Sequence, residues 1–257
     1  MSVYAFADLH GSYWAWEKIK NIIQPNDIAY FLGDAADRGP DGWRIIKEIL
    51  QDSRIIYLKG NHEDLMIKAI GHYTINNFKD DWFHWDDNMN LWFYNGGEIT
   101  YNSFMKDESI NPEDKIKILH RLAQLPFCAV YNNIKGQKIL LSHAGCDNFE
   151  AANMLDEEKF IWDRSHWLFW DEWQGERDEV IVHGHTPIEL MIEEQNDNAD
   201  WLIHSHIDQT IKYPNYNGHG TYWYGKNHKA CIDTGAVWNK EAVLLNLDTW
   251  EDIIITE

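Results

Sequence analysis

Polar side chains of a few types follow the apolar runs of this sequence, one group after each run. The groups are Asp8 and His10, then Asp34, Asp37 and Arg38, then Asn61 and His62, then His143, and finally His183 and His185. Oxygen and nitrogen ligands without a thiolate suit Mn, Fe or Zn, and Mg as well, rather than an iron–sulfur cluster. The groups are too many for one ion, so they predict two ions that share a carboxylate, ~3.5–4 Å apart.

Each group also has a simpler interpretation when it is taken alone. "GNHE" could be a helix start with Asn61 as its N-cap, and "GDAADRG" could be an ion-paired turn. Turns and caps do not explain why every group directly follows an apolar run. Two carboxylates at the end of a buried strand are costly unless cations compensate them. Arg38 can compensate one, and metal ions are the compensation that we expect for the other.

The elements that would position these groups alternate along the first seventy residues. The runs "VYAFA", "DIAYFL" and "RIIYLK" predict strands, and helical spacing follows in "SYWAWEKIKNII", in "PDGWRIIKEIL" from Pro40, and from "HEDLMIKAI". Strand–helix alternation predicts parallel βαβ units, whose loops converge at the carboxyl ends of the strands. Further on, "FCAVYNNIKGQKILLSHAG" predicts a hairpin that turns near Gly136, "DEVIVHGHTP" a strand, and the closing segment short β runs.

We expect one α/β domain over residues 1–257, with a mixed sheet flanked by helices. A helical insertion is expected over about 72–125 and a long loop or hairpin over about 195–229, between the "GHTP" and "IDTGAV" segments. We interpret the second segment as a flap that faces the substrate. A hairpin that only extends the sheet is the alternative.

Composition limits the classes of partner. Asp and Glu total 42 against 22 Lys and Arg, a formal net charge of −20, which argues against non-specific nucleic-acid binding and against anionic membranes. Three unpatterned cysteines and the absence of a signal-like or membrane-spanning segment predict a cytoplasmic protein with reduced thiols. An anionic substrate would therefore need local positive charge.

The motifs resemble those of the phosphoprotein phosphatase family of calcineurin-like metallophosphoesterases. They are "DLHG" at 8–11, "GDAADRG" at 33–39, "GNHE" at 60–63, "HAG" at 143–145 and "GHTP" at 184–187. The chain is most similar to the compact bacterial and phage branch typified by lambda phosphatase, through "IWDR" at 161–164 and "IDTGAV" at 232–237. The family fold is an α/β sandwich with mixed central sheets.

The resemblance implies a role for each matched residue. Asp8, His10 and Asp34 would hold a first metal ion. Asp34, Asn61, His143 and His185 would hold a second, with Asp34 as the bridge. His62 would act as general acid, oriented by Asp37, and Arg38 and Arg164 would grip the oxygens of the substrate phosphate. His183, two residues before His185, is interpreted as structural or supporting.

The expected activity is hydrolysis of phosphomonoesters, plausibly of phospho-Ser/Thr proteins, by a hydroxide that bridges two divalent ions, with Mn expected first. The alternative enzymatic reading is hydrolysis of dinucleoside polyphosphates such as diadenosine tetraphosphate, or of other nucleotides, on the same scaffold. Enzymes of that type usually have Ala in place of Asp37 and "GNHD" in place of "GNHE". The Trp-rich segments around 82–92 and 162–173 could stack a nucleobase. A metal-binding scaffold without catalysis is the non-enzymatic alternative.

Overall fold

The computed structural model describes residues 1–71, 87–153, 156–168, 173, 175–194 and 216–257. Its first sheet has the strand order β10-β9-β1-β2-β3. Three neighbouring strands run parallel: β1 (Val3–Phe6), β2 (Ile28–Phe31) and the edge strand β3 (Ile55–Tyr57). The antiparallel strands β9 (Glu241–Asn246) and β10 (Asp252–Thr256) complete the sheet.

The second sheet has the order β4-β5-β6-β8-β7. Its strands are β4 (Cys128–Asn132), β5 (Lys138–Ser142), β6 (Glu179–His183), β7 (Tyr222–Tyr224) and β8 (Lys229–Cys231). β5, β6 and β8 are parallel, and the two edge strands are antiparallel to their neighbours. Each sheet therefore contains three neighbouring parallel strands.

Helices cover the outer faces. The longer ones are α1 (Tyr13–Ile22), α2 (Gly42–Gln51), α3 (Asn61–Ile70), α4 (Asp87–Tyr94), α5 (Glu98–Lys106) and α6 (Pro112–Ala123). The shorter ones are α7 (Phe149–Ala152), α8 (Glu157–Trp162), α9 (Ser165–Leu168), α10 (188–194) and α11 (Ala236–Asn239). Among the described residues, no helix combines the length and hydropathy that a membrane crossing needs.

The two sheets pack face to face because successive strand residues point to opposite faces. Val3 and Ala5 lie in a buried cluster with Leu141 and Val182 of the second sheet, whereas Phe6 lies in the cluster under the helices. On the helices the matching faces recur at helical spacing, as in α2 with its buried residues Trp43, Ile45, Ile46 and Ile49. The result is a sandwich with helices outside both sheets.

The predicted fold class, mixed sheets flanked by helices, is confirmed. Some boundaries differ from the sequence expectation. α2 begins at Gly42, so Pro40 precedes the helix, and a short helix (α11) lies in the closing region that was expected to contain only β runs.

The expected flap over 195–229 is described only from residue 216. That part contains β7, which pairs antiparallel with β8 and places Tyr222 and Tyr224 in a buried cluster, so residues 222–224 belong to the second sheet. The flap interpretation of the rest of the segment stays a prediction. Residues 195–215, with His204 and His206, lie outside the described residues, as do residues 72–86 of the expected helical insertion. Residues 87–123 contain α4, α5 and α6.

Candidate metal centre

The parallel strands of both sheets end around one crevice. Asp8 follows β1, Asp34 follows β2 and Asn61 begins α3 after β3, whereas His143 and His185 follow β5 and β6. Backbone contacts join these ends: the N–H of Gly184 donates to the carbonyl of His143 at 2.8 Å. The imidazole Nδ1 of His143 lies 2.9 Å from the carbonyl of Leu32 in the first sheet. The site therefore forms where the two sheets meet.

Tight backbone turns bring the polar side chains inward. Six non-glycine residues here have positive φ: Asp8 at 53°, His10 at 41°, Asp34 at 62°, Asp37 at 73°, Arg38 at 63° and His185 at 71°. This left-handed conformation costs roughly 1–2 kcal/mol at each such residue. Two glycines admit close approach, because a Cβ on Gly184 would lie 1.9 Å from an Asp8 oxygen and one on Gly60 2.2 Å from an Asp34 oxygen.

Asp34 stands between two groups of possible ligands. On one side it forms a buried group with His10 and His62, and on the other with His143 and His185. Its Oδ2 atom lies 3.5 Å from Nε2 of His10, 3.9 Å from Nε2 of His62 and 3.3 Å from Nε2 of His143. A carboxylate that faces both groups is the arrangement expected of a bridging ligand.

In the second group, the group of Asp34, His143 and His185, several hydrogen-bond acceptor atoms lie close together. Because Nδ1 of His143 faces the Leu32 carbonyl, that nitrogen carries the proton and Nε2 presents a lone pair. This Nε2 atom lies 2.8 Å from Oδ1 of Asn61 and 3.1 Å from Nδ1 of His185. Nε2 of His185 is buried without a hydrogen-bond partner among the described residues. A divalent cation could bind Nε2 of His143, Oδ1 of Asn61 and Nδ1 of His185 together, because these three atoms lie within 3.1 Å of one another.

The electrostatics also favour a cation. Burial raises the pKa of Asp8 well above its ordinary value, and the carboxylates of Asp233 and Asp34 add to the shift. Burial likewise raises the pKa of Asp233 to about 6. Burial opposes the charged form of His143, but the Asp34 carboxylate outweighs it and raises the pKa of this imidazole to about 9. A positive charge beside Nε2 of His143, from a proton or from a bound cation, would thus compensate the buried carboxylates.

The residues present fit two divalent ions. His10 has the same arrangement as His143, with Nδ1 2.9 Å from the Ala36 carbonyl and Nε2 directed toward Asp34. Asp8 is set slightly apart: its Oδ1 atom lies 4.0 Å from Nε2 of His10, and both its oxygens accept the N–H of His185 at 3.1 and 3.0 Å. The third side chain that lies close enough to Asp34 and His10 to share a cation with them is His62. The sequence interpretation assigned His62 to proton transfer and not to metal binding.

His62 is oriented by Asp37. Nδ1 of His62 lies 2.6 Å from Oδ2 of Asp37, and the indole N–H of Trp92 donates to the same oxygen at 2.8 Å. All three side chains are buried. Since Nδ1 donates to the carboxylate, Nε2 is the nitrogen that faces the crevice and can hold or deliver a proton there.

Two arginines lie at the crevice. Nη1 of Arg38 is 2.5 Å from Nε2 of His10 and Nη2 is 3.2 Å from Nε2 of His62, so this guanidinium and a cation would compete for the His10 lone pair. Arg164 is exposed, and its Nε–H donates to the hydroxyl of Thr186 at 3.2 Å, directly beside His185. Planar guanidinium groups in these places match phosphate oxygens.

Two buried acids have contacts that the motif reading did not assign. The Glu63 carboxylate accepts the backbone N–H groups of Asp34 at 2.8 Å, Ala35 at 2.9 Å and Gly60 at 3.0 Å. Asp233, in "IDTGAV", accepts the N–H of Gly235 at 3.0 Å. The acidic residue three positions after Gly60 in sequence could have suggested a contact at the N-terminus of a helix, but not the link to the loop after β2.

His183 lies behind the site. Its Nε2 atom is 2.6 Å from the hydroxyl of Tyr224, which in turn lies 3.2 Å from Nδ1 of His166. His166 reaches the carbonyl of Ala144 through Nε2 at 2.6 Å. These buried side chains connect the loops that carry His143 and His185.

The tryptophans expected to stack a base are largely unsuited to it. Trp92 and Trp167 are buried, and Trp162 is half-buried with its ring centroid 6.0 Å from that of His185. The expected candidates at 82–86 and 169–172 lie outside the described residues.

Comparison with known proteins identifies the class of protein. The family model for calcineurin-like phosphoesterases matches residues 1–209. The chain therefore belongs to the calcineurin-like phosphoesterases.

Two curated relatives of this chain carry the same enzyme name. The chain is 26% identical over 153 residues to the symmetrical bis(5'-nucleosyl)-tetraphosphatase of Buchnera aphidicola subsp. Acyrthosiphon pisum, a match that covers 56% of this chain and 44% of the relative. It is 36% identical over 67 residues to the enzyme of the same name from Wigglesworthia glossinidia brevipalpis, covering 24% and 25%. The chain thus spans less than half of these curated relatives.

Solved structures share the fold. A putative diadenosine tetraphosphatase superposes with a TM-score of 0.59 at 15% identity, covering 99% of this chain and 92% of the other. A protein serine/threonine phosphatase from Saccharomyces cerevisiae gives 0.50 at 12% identity, with coverages of 100% and 79%. The specific resemblance to the lambda-phosphatase branch is not supported by these relatives beyond the shared fold.

Proposed function

We propose that this chain is a metal-dependent phosphoesterase with two divalent cations, and that it cleaves dinucleoside polyphosphates of the tetraphosphate type. The observation that carries the chemistry is the position of Asp34 between two buried ligand groups. The similarity to named tetraphosphatases supports the substrate class, in preference to the phosphoprotein substrates that the motifs alone suggested.

His10, Asp34, Asn61, His143 and His185 would hold the cations, with Asp8 beside His10. The cations would neutralise phosphate oxygens and activate water as a nucleophile at neutral pH. We propose Mn as the native metal because the ligands are carboxylate, amide and imidazole groups.

The chain's own residues orient the substrate and move a proton. Arg38 and Arg164 would bind phosphate oxygens and supply the local positive charge that the formal net charge of −20 does not. His62, held by Asp37, would donate a proton from Nε2 to the oxygen of the leaving group.

A monoester substrate is the second candidate, and the contact between Asp37 and His62 favours it. An alkoxide is a poorer leaving group than a nucleoside diphosphate, so its departure depends more strongly on a general acid. An oriented His62 is therefore most useful for a phosphoserine-like ester. A catalytically inactive metal-binding scaffold is less consistent with an intact His62, Arg38 and Arg164.

A substrate panel tests the proposal. Metal-stripped protein would be reloaded with Mn, Zn or Mg and offered diadenosine tetraphosphate, ATP, p-nitrophenyl phosphate and a phosphoserine peptide. We expect activity only after reloading, with diadenosine tetraphosphate the best substrate and ADP its product by chromatography. Full activity without metal would contradict the metal assignment, and faster turnover of the phosphopeptide would favour the second candidate.

A further inference from the structure

An exposed tryptophan stands at the edge of the metal centre. Trp238 is 56% exposed, and its ring centroid lies 6.5 Å from the ring centroid of His10. Cζ of Arg38 lies 4.8 Å from the same indole centroid. Single exposed apolar residues are ordinary on protein surfaces. Trp238 is unusual because it lies beside both His10, a candidate metal ligand, and Arg38, a candidate phosphate-binding residue.

The backbone that carries Trp238 is fixed. Helix α11 starts after Gly235, whose φ of 74° is left-handed and whose N–H donates to Asp233. The N–H of Trp238 donates to the Gly235 carbonyl at 2.9 Å, and the Asn239 amide donates to the Thr234 carbonyl at 2.9 Å. The turn is therefore pinned at both ends, while the indole side chain stays largely in solvent.

One side of the indole is already engaged. The Arg38 guanidinium lies between Trp238 and the imidazoles of His10 and His62. A phosphate that accepts from Arg38 would therefore have its substituent beginning beside Trp238. If that substituent is a nucleoside, its base can reach the exposed part of the indole.

The other tryptophans described beside the site offer less. Trp92 is fully buried and donates its indole N–H to Asp37, and Trp167 is buried under the second sheet. Trp162 is half-buried and packs against the core under the helices. Of these indoles, Trp238 has the most surface available to a ligand.

We propose that Trp238 is a specificity-determining residue that stacks on the nucleobase of a nucleotide whose phosphate contacts Arg38. This inference rests on the proposed function, since it concerns nucleotide substrates of the same site. Stacking on an aromatic ring depends little on the identity of the base and gains roughly 5- to 150-fold in affinity. It needs no charge on the protein, which suits a chain with an excess of acidic residues.

Product-like inhibitors isolate the contribution of the base. AMP and ribose 5-phosphate are both ribose with a phosphate on the 5' oxygen, and the principal difference between them is the adenine base of AMP. Both would be measured as competitive inhibitors of p-nitrophenyl phosphate hydrolysis. We expect wild-type protein to bind AMP at least 5-fold more tightly than ribose 5-phosphate, and Trp238→Ala to bring that ratio close to one. Any disturbance of Arg38 affects both inhibitors and leaves the ratio unchanged.

Two further variants complete the test. Trp238→Phe retains an aromatic ring and should keep most of the preference for AMP, whereas Trp238→Leu is apolar without a π face and should lose it. A preference for AMP that is the same in wild type, Ala and Leu variants would overturn the role of Trp238. Failure of wild-type protein to cleave diadenosine tetraphosphate would instead overturn the proposed substrate, and the inhibitor ratio would still decide on Trp238.

Discussion

Asp37 and Trp92 restrict His62 to one orientation. The carboxylate accepts from Nδ1 of His62 at 2.6 Å and from the indole of Trp92 at 2.8 Å. Nε2 of His62 is then the atom within 3.9 Å of Oδ2 of Asp34. This geometry is compatible with two roles, proton donor or metal ligand, and the two roles give different results on substitution.

For His62→Asn, we expect both metal ions to stay bound and kcat to fall by roughly 10²–10⁴, the usual contribution of a general acid. The loss should be larger for phenyl phosphate than for p-nitrophenyl phosphate, because a better leaving group needs no proton. The measurements are elemental analysis and the two rates. Loss of one metal per chain would instead make His62 a ligand.

For Asp34→Asn, we expect fewer than two metal ions per chain, because an amide cannot replace a carboxylate that faces both ligand groups. Metal content by elemental analysis is the measurement. Asp41→Asn is the matched control, since Asp41 stands next to α2 and outside both ligand groups. A variant that retains two ions would show that Asp34 is not the bridge.

The positions of the candidate ligands could be predicted, whereas the exposure of single aromatic residues could not. Asp8, Asp34 and His143 each follow an apolar run, and parallel strands bring such ends together. The sequence around Trp92, Trp167 and Trp238 does not show which of these rings is exposed, but in the structure the first two are buried and Trp238 is largely exposed. Which of them can contact a ligand depends on the neighbours that cover each ring, and those come from distant parts of the chain.

Among the elements, the N-terminus of α3 is tied to the loop after β2 by Glu63. Its carboxylate accepts three backbone N–H groups from the two segments. We predict that Glu63→Gln lowers the free energy of unfolding by ~2–3 kcal/mol, because the amide NH₂ would face N–H donors in a buried place. Urea unfolding monitored by circular dichroism measures this. Stability equal to wild type would show that the contacts contribute little.

The contact between α2 and the end of α5 predicts a dependence on pH. Partial burial acts in the opposite direction, but hydrogen bonds from Lys47, Ser109 and Trp43 hold the pKa of Asp107 well below its ordinary value. A depressed folded-state pKa gives stability that is present above the unfolded pKa, ~3.9, and is lost as pH falls toward the folded value.

We therefore expect Asp107→Asn to lower the free energy of unfolding by roughly 1–2 kcal/mol at pH 7. The difference from wild type should stay constant down to about pH 5 and shrink below about pH 4. Urea titrations at several pH values measure it. Glu108→Gln is the control, because Glu108 is exposed beside Asp107. A difference that grows toward low pH would contradict the assignment.

The elements themselves were largely predictable. Helix α6 has Asn111 as its N-cap, which accepts the N–H of Asp114 at 2.9 Å, and Pro112 in its first turn, both of which are local signals. The division into two sheets is not local, because it depends on which strands pair across more than a hundred residues. Short apolar strands such as β7 and β8 carry too little pattern to reveal that pairing.

In the molecule as a whole, the candidate ligands come from both sheets. Asp8 and Asp34 follow strands of the first sheet, and His143 and His185 follow strands of the second. Cations bound to both sets would join the sheets and stabilise the folded state by about 2.7 kcal/mol at a concentration 100 times Kd. We expect chelation to lower Tm by roughly 5–10 °C.

Differential scanning calorimetry with and without chelator measures this shift. In Asp34→Asn the shift should be much smaller, since less metal is bound at the outset. A Tm that does not respond to chelation in wild type would show that the ions, if bound, do not join the sheets.

The six residues with a left-handed backbone conformation around the crevice lower the stability of the fold and carry the side chains of the candidate site. Because each pays a conformational cost that glycine does not, replacing such a residue with glycine relieves strain and removes a working side chain at the same step. A library selected only for heat resistance should therefore accumulate glycine at Arg38 and become inactive, whereas Asp37 is retained by its buried hydrogen bonds to His62 and Trp92. Natural selection for turnover acts in the opposite direction, so these positions record a compromise between durability and chemistry.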